Sequence, residues 1–549
     1  MTLSGPTAPR ARRRLAGGIA GAALLIAVVT ILSRMVGFGR WLVFSHTVAA
    51  SCLGDAYNTA NQMPNIIFEV VAGGALASVA VPVLASPLAR GDRAQAARTA
   101  SALLTWTLMV LTPVAVVGIL LARPLTEALL DAPQGCQRRE FLAVVFRMLL
   151  VFLPQIPLYG VAVVVSGVLQ ADRRFLAPVL APLLSNPVVI AAYLTFSAIS
   201  PAGNVELAQL SRMKELALSV GTTLGVVTLA VSQIVALRRS GLRLRPTFVF
   251  PPGIAPRARG LAMAGIVTLA AQQAAALAIL GLTNHRGNAG ALTVYTLTWA
   301  VYLLPYAVLV FPIATSAFPR LVTRFEAGDR AGYATDVATT SRAVLLVAAV
   351  GTGVMIATAY PVARVFLQVA GAAPDPEVMA HALVAFAPGL LGYAVVNHMG
   401  RVLYAAGRGK FSAAATALGW LVVVLADVVC VIVFPRQETV TALGIGNAIG
   451  MTVAGVLLVA ATCRGVGVAT LAGVGRAVVV AILGALVAAA VGTGIATRLT
   501  MVAGHGGMIA NASIALVTGL VAVFVFTVVA FVGDSAGVRA LIARRWRQA

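Results

Sequence analysis

Residues 15–41 read LAGGIAGAALLIAVVTILSRMVGFGRW. From Leu15 to Ile31 the run carries no charge, and a membrane crossing needs about 20 such residues. Two arginines, Arg34 and Arg40, then stand among Ser33, Gly37 and Gly39. Either they snorkel from the end of a span to the interface, or they face a water-filled interior and hold an anion. Working outward from this run decides what kind of chain surrounds it.

The chain has 549 residues, 60% hydrophobic and 10% charged. Soluble domains carry about 25% charged residues, so lipid must solvate most of this polymer. The four cysteines, Cys52, Cys136, Cys430 and Cys463, show no paired spacing and read as small apolar fillers rather than disulfides or metal ligands. Arg10, Arg12, Arg13 and Arg14 before the first apolar run resemble a signal peptide, but the run is span-length and no small-residue cleavage site follows, so it reads as a retained first helix.

Hydropathy predicts fourteen spans, near 15–37, 56–86, 99–122, 141–170, 175–197, 215–237, 260–282, 290–319, 340–367, 378–406, 411–434, 440–462, 474–497 and 508–532. With the N-terminus inside, 27 of the basic residues fall on cytoplasmic segments and nine on outer ones. That excess places both termini in the cytoplasm. It also assigns the net charge of +23 to membrane topology and anionic lipid heads, and no nucleic-acid partner is expected.

The chain repeats itself. Gly91-Asp92-Arg93-Ala94 matches Gly328-Asp329-Arg330-Ala331, and Pro82 matches Pro319, both at an offset of 237. Phe152, Pro154, Tyr159, Leu169 and Ala171 match Phe386, Pro388, Tyr393, Leu403 and Ala405 at an offset of 234. Six spans separate the equivalents, so both copies enter the membrane in the same sense. An all-α polytopic protein of fourteen helices follows: two six-helix lobes, 15–237 and 260–462, related by a pseudo-two-fold along the membrane normal, with two C-terminal helices in 474–532. Residues 1–14, 238–259 and 533–549 are the basic cytoplasmic arm, linker and tail.

The stretch SRMVGFGRWLVFSHTVAASCLGDAYNTANQMPNIIFEVVAGGALASVAVPVLA resembles the start of the MurJ/MviN family, the lipid II flippases of the MOP exporter superfamily. The matching pieces are Ser33-Arg34, Gly37, Arg40, Gly54-Asp55-Ala56, Pro64-Asn65, Gly74-Ala75 and Val81-Pro82; RRFLAPVLAPLLSNPVVI from Arg173 and APGLLGY from Ala387 add to it, and together they cover residues 15–535. The composition suits an actinobacterial-type member. The resemblance implies a carrier of lipid II, the undecaprenyl-pyrophosphate-linked peptidoglycan precursor, in a bacterial plasma membrane. Its pyrophosphate would lie in a cationic cavity, and its tail in a groove made partly by spans 13 and 14. Besides lipid II, membrane lipids and cell-wall synthesis or division proteins are expected partners.

In that frame Arg34 and Arg40 are the pyrophosphate ligands, because the guanidinium fork suits phosphate oxygens. Asp55 either orients Arg40 or caps its own helix. Asn65 lines the cavity or satisfies backbone freed by Pro64. The chain departs from the better-known members at three places: Phe68 with Glu69, and Ala300, stand where arginines are expected, and Gly73 replaces an acid. Glu69 then pairs with Arg34 or Arg40 in the empty state, titrates in proton coupling, or is an interior carboxylate. Asp427 is the candidate ligand for a monovalent cation, Na or H, which members can bind in the second lobe; otherwise it pairs with Gln272 or Gln273. His398 and Arg401 are interfacial anchors or head-group ligands. No hydrolytic motif, metal motif or GxxxxGK[ST] loop occurs, so neither an enzyme nor a bound cofactor is expected, and transport must draw on an ion gradient or membrane potential. The rival readings are a cation-coupled multidrug or polysaccharide exporter of the same superfamily and a transport-inactive scaffold.

Overall fold

The computed structural model describes residues 9–70, 77–200, 206–252, 254–368, 374–504 and 506–533, without the side chains of 9–24, 26–27, 77–79, 82 and 255–268. The expectation for Gly73 lies outside these residues. The described chain is helical, with one isolated β-bridge between Gln134 and Asn288. The first half holds α1 (Pro9–Thr47), α2 (Cys52–Phe68), α3 (Ala77–Ala89), α4 (Arg93–Leu129), α5 (Arg138–Phe152), α6 (Gln155–Ala171), α7 (Leu176–Ala198) and α8 (Arg212–Arg238). The second half holds α9 (Ile254–Arg286), α10 (Ala291–Pro305), a π turn (Tyr306–Val310), α11 (Phe311–Glu326), α12 (Arg330–Leu367), α13 (Pro376–Ala405), α14 (Gly409–Val433) and α15 (Thr439–Val466). Two further helices, α16 (Val474–Ala503) and α17 (Met508–Gly533), follow.

Among the described residues twelve helical segments are long and apolar enough to cross a membrane. The expected second span is divided between α2 and α3, on either side of residues outside the description, and the expected seventh coincides with α9. Large apolar side chains stand exposed around the bundle, such as Leu120 on α4, Val433 on α14 and Phe524 on α17. Water would not tolerate so wide an apolar surface; lipid does.

The duplicated motif has a local cause. Gly91 and Gly328 have φ of +76° and +73°, a conformation that costs a Cβ-bearing residue about 1 kcal/mol or more. Asp92 accepts from the Gln95 N–H at 2.8 Å and Asp329 from the Gly332 N–H at 2.8 Å. Each aspartate therefore caps the long helix after it, α4 and α12, a contribution of about 1 kcal/mol. Packing repeats with the sequence. The pairs α1–α7, α4–α6, α6–α8 and α7–α8 of the first half recur as α9–α14, α12–α13, α13–α15 and α14–α15. Added side chains at Gly221 and Gly419 would strike Ala192 and Ala454, so small residues set the close approach at both equivalent crossings. Residues 245–248, between the halves, lie along α4: the Arg245 and Thr247 N–H groups donate to Ser101 and Thr105, and Trp106 Nε1 donates to the Phe248 carbonyl.

Two expectations are corrected here. The first helix does not stop near residue 37 but runs to Thr47. Its last two turns are fastened by Phe44 and Val48, which pack with Leu53 and Tyr57 of α2 in the core; Gly37 and Gly39 leave the helix unbroken. Arg34 and Arg40 are therefore helix-interior residues. The cysteines are not all fillers: Cys52 and Cys136, 84 residues apart, form a disulfide with a Cα–Cα separation of 5.7 Å, and Cys430 and Cys463 are free. The pairing was invisible in sequence because folding alone brings the first turn of α2 against the loop before α5.

Candidate functional site

The two halves meet at the disulfide end through Asp55. Its Oδ2 accepts from the Gly290 N–H at 2.7 Å, and Oδ1 accepts from the Thr293 N–H and Thr293 Oγ1, each at 2.8 Å. These donors belong to the first turn of α10, in the other half. Asp55 thus caps a helix 235 residues away, and neither orients Arg40 nor caps α2, whose own cap is Ser51. Unpaired N–H groups and the positive end of the helix dipole at α10 attract the carboxylate, which is fully buried. Around it, Asn58 Nδ2 donates to Thr293 Oγ1 and Asn284 Nδ2 donates to Thr59 Oγ1. The Gln134 N–H donates to the Gly287 carbonyl, and the Ala289 N–H donates to the Gln134 carbonyl. Backbone contact is close: a Cβ on Gly290 would meet the Ala50 carbonyl.

Below this seam the halves part around two hollows. One, of about 490 Å³, is walled by α1, α7 and α10, and both Arg34 and Arg40 line it with Asn186. Neither arginine makes an ion pair with a described residue. Arg34 is exposed to the hollow. Arg40 is half-buried; its Nε lacks a hydrogen-bond partner and its guanidinium lies 4.8 Å from the Trp41 ring centre. Insertion of an arginine into a mid-membrane helix costs about 2.5–3.5 kcal/mol, which an anion in the hollow would offset. Ala300 lines the same wall, where a longer cationic side chain would have reached the space. Phe68 packs instead on Tyr159, ring centres 4.5 Å apart.

The other hollow, of about 290 Å³, is walled by α2, α9, α10 and α14, and takes Asn65 and Glu69. The expected pairing of Glu69 with Arg34 or Arg40 does not occur: the carboxylate lines a different hollow from the arginines and makes no ion pair with a described residue. Asn65 lines the hollow, and its Nδ2 donates to the Asn61 carbonyl one turn back at 2.9 Å, which is not the carbonyl left without a donor by Pro64. At Glu69–Val70 the helix widens into a π turn, as it does at Tyr306, the position 237 residues on. Such turns re-aim side chains and recur at functional sites.

Asp427 is buried on α14, and neither carboxylate oxygen has a hydrogen-bond partner among the described residues. Its alternative pairing with Gln272 or Gln273 is therefore absent; side chain and backbone of Asp427 abut Gly446 of α15 instead. His398 is not interfacial. It is buried, with Nε2 3.2 Å from Thr340 Oγ1 and from Ser341 Oγ, because α12 covers that face of α13. Arg401 turns back along α13: its Nη1 donates to the Asn397 carbonyl at 2.9 Å, while Tyr306 Oη donates to Asn397 Oδ1. A third, apolar hollow of about 510 Å³ lies among α12, α13, α15 and α16, with Leu345, Ile356, Val456 and Ile482 on its walls.

The comparisons with known proteins agree with this geometry. The family model described as "Lipid II flippase MurJ" matches residues 44–517. The lipid II flippase MurJ of Burkholderia cenocepacia is 32% identical over 174 residues, 31% of this chain and 33% of that protein. The probable lipid II flippase MurJ of Synechocystis is 27% identical over 239 residues, 42% of this chain and 43% of that protein. The aligned segments thus span less than half the length of these curated relatives. A solved MurJ in an inward closed conformation superposes with a TM-score of 0.71 at 16% identity, covering 94% of this chain and 100% of the other. An inward-facing multidrug transporter of the MATE family superposes at 0.64 and 15% identity, covering 80% and 98%; at such identities the likeness is one of fold. With the match running through both halves and into α17, the chain belongs to the MurJ lipid II flippase family.

Proposed function

We propose that this chain moves lipid II, the undecaprenyl-pyrophosphate-linked disaccharide-peptide, from the inner to the outer leaflet of a bacterial plasma membrane by alternating access. The observation that carries the reading is the pair Arg34 and Arg40, two guanidinium groups without a carboxylate partner among the described residues, on the wall of one hollow between the halves. A diphosphate supplies the charge they lack, through charge-assisted hydrogen bonds. The remaining chain suits the rest of the substrate. The apolar hollow among α12, α13, α15 and α16 takes an isoprenyl tail.

All fourteen spans, the pseudo-two-fold axis along the membrane normal and cytoplasmic termini belong to this proposal. So does the orientation: the end with Cys52–Cys136 faces outward, where disulfides persist, and most arginines face inward. The halves are joined at that end by Asp55, so the chain rests closed to the outside. Transport requires the Asp55 contacts to break as a cavity on the other side closes. The isolated carboxylate of Asp427 is the place for a coupling monovalent cation, Na or H.

The test is complementation. The flippase of a host bacterium is depleted, this chain is supplied, and survival and outer-leaflet lipid II are scored beside Arg34→Ala and Arg40→Ala. Each single variant is expected to lose about 10- to 100-fold in flipping rate, the value of one charged hydrogen bond or more. Full rescue by the double alanine variant would overturn the anion site. Survival without restored flipping would favour the scaffold reading, which the missing arginines at Phe68 and Ala300 motivate.

A further inference from the structure

The hollow that holds Glu69 differs chemically from the arginine hollow. Besides Asn65 and Thr296, four polar side chains reach it from the two halves of the molecule: Gln62 from α2, Glu69 from the turn that follows it, and Gln272 and Gln273 from α9. None of the four makes a hydrogen bond or ion pair with a described residue, although Gln273 is 6% exposed. On the facing wall Tyr295 and Trp299 lie nearly parallel, 12° apart with ring centres at 6.3 Å, and Trp420 closes the floor. A buried amide with no partner costs about 1–3 kcal/mol. Gln273 is the buried amide here, and half-buried Gln62 and Gln272 and exposed Glu69 turn their polar ends to the same space, a surface made to be completed by something polar.

The donor set narrows what that is. A phosphate would face Glu69 and, among the described lining residues, no cation. An isoprenyl chain would leave the amides unpaired. A lone organic cation would be content with Glu69 and the rings, but the N–H groups of three glutamines would have nothing to donate to. A pyranose ring bearing hydroxyl and acylamino groups answers every feature: its C–H face lies on an aromatic ring, its hydroxyls and carbonyls exchange donors and acceptors with the amides, and Glu69 accepts from adjacent hydroxyls. About 290 Å³ admits one such ring with its substituents. We infer that this hollow is a saccharide subsite, in which Gln62, Glu69, Gln272 and Gln273 hold an N-acylated sugar ring against Trp299. It rests on the proposed function only for the source of that ring, the head group of the transported lipid. Because α2 and α9 belong to different halves, a bound ring bridges the two and reports its presence to the seam above.

The test uses the full chain in detergent and three separate probes read by tryptophan fluorescence: the phosphate-free disaccharide N,N′-diacetylchitobiose, inorganic pyrophosphate and tetraethylammonium. The disaccharide is expected to give saturable quenching. Its affinity should fall at least about 5-fold in Glu69→Ala and in Gln272→Ala, the loss of one net hydrogen bond, and stay within 2-fold in Arg34→Ala. Thermal melts and monodisperse elution identify variants that fold. Unchanged disaccharide affinity in both folded variants overturns the inference, as does tetraethylammonium binding with no response to the disaccharide. Failure of pyrophosphate to bind, or equal binding to Arg34→Ala/Arg40→Ala, instead defeats the reading of the arginine hollow and leaves the saccharide result standing.

Discussion

Replacing Asp55 with alanine should loosen the two halves at the disulfide end without unfolding either. The carboxylate accepts from the Gly290 N–H, the Thr293 N–H and Thr293 Oγ1 at 2.7–2.8 Å, and all three donors lie across the seam. Hydrogen bonds to a charged group contribute about 1.5–3 kcal/mol each, and each donor left buried and unpaired costs about 1–3 kcal/mol. These terms overlap and water enters the gap, so a net loss of about 3–5 kcal/mol is expected, in line with breaking a buried charged contact. The whole loss falls on the joined state, because the donors are free to meet water once the halves part. A shift of about 3 kcal/mol changes the joined-to-parted ratio by more than 100-fold. Spin labels at Arg139 on α5 and Glu377 on α13, both exposed, in a Cys430→Ala/Cys463→Ala background, read the change as pulsed electron double resonance distances. The parent chain should give one narrow distribution, and Asp55→Ala should add a longer component of comparable weight. Asp55→Asn, which keeps one acceptor oxygen, should fall between. An unchanged distribution in a folded Asp55→Ala protein would refute the assignment of Asp55 as the contact that holds the halves together.

Gly290→Ala should act in the same direction: φ of +88° and the Ala50 carbonyl leave a methyl no room, so the same labels should show a parted population. Reducing Cys52–Cys136 frees the loop carrying Gln134 from α2; for a separation of 84 residues the chain-entropy value is at most about 4.5 kcal/mol. The melting temperature should drop by several degrees on reduction, and reductant should have no effect on Cys52→Ser/Cys136→Ser. Asp336, buried and bridged to Arg320 at 3.0 Å and Arg324 at 2.8 Å, joins α11 to α12. Asp336→Ala should therefore lower thermal stability by about 3–5 kcal/mol, whereas exposed Arg123–Glu127 should be worth less than about 1 kcal/mol, a contrast that paired melts of Asp336→Ala and Glu127→Ala would check.

Much of this molecule was readable one window at a time. A span announces itself through the composition of consecutive residues, and the Gly-Asp pairs at 91–92 and 328–329 announce a left-handed turn and a helix cap within four residues. The duplication is visible because two copies of the same local solution were kept. Arg34 and Arg40 were legible as candidates because a charge inside an apolar run has few places to go, and both line one hollow. What failed was whatever depended on distant partners. Asp55 looked like a partner of Arg40 or a local cap because nothing in its neighbourhood names Gly290 and Thr293, and Cys52 looked like a filler because Cys136 lies 84 residues away. One reading of Glu69 paired it with Arg34 or Arg40, yet the packing of α2 against α9 and α10 places it on a different hollow from theirs. His398 was placed at the interface by its distance from a helix end, and α12 buries it. Hydropathy and capping are properties of a few neighbouring residues, so the chain alone determined its helices and its repeat; which side chains meet is decided by helix packing between halves, and only the tertiary structure settles that.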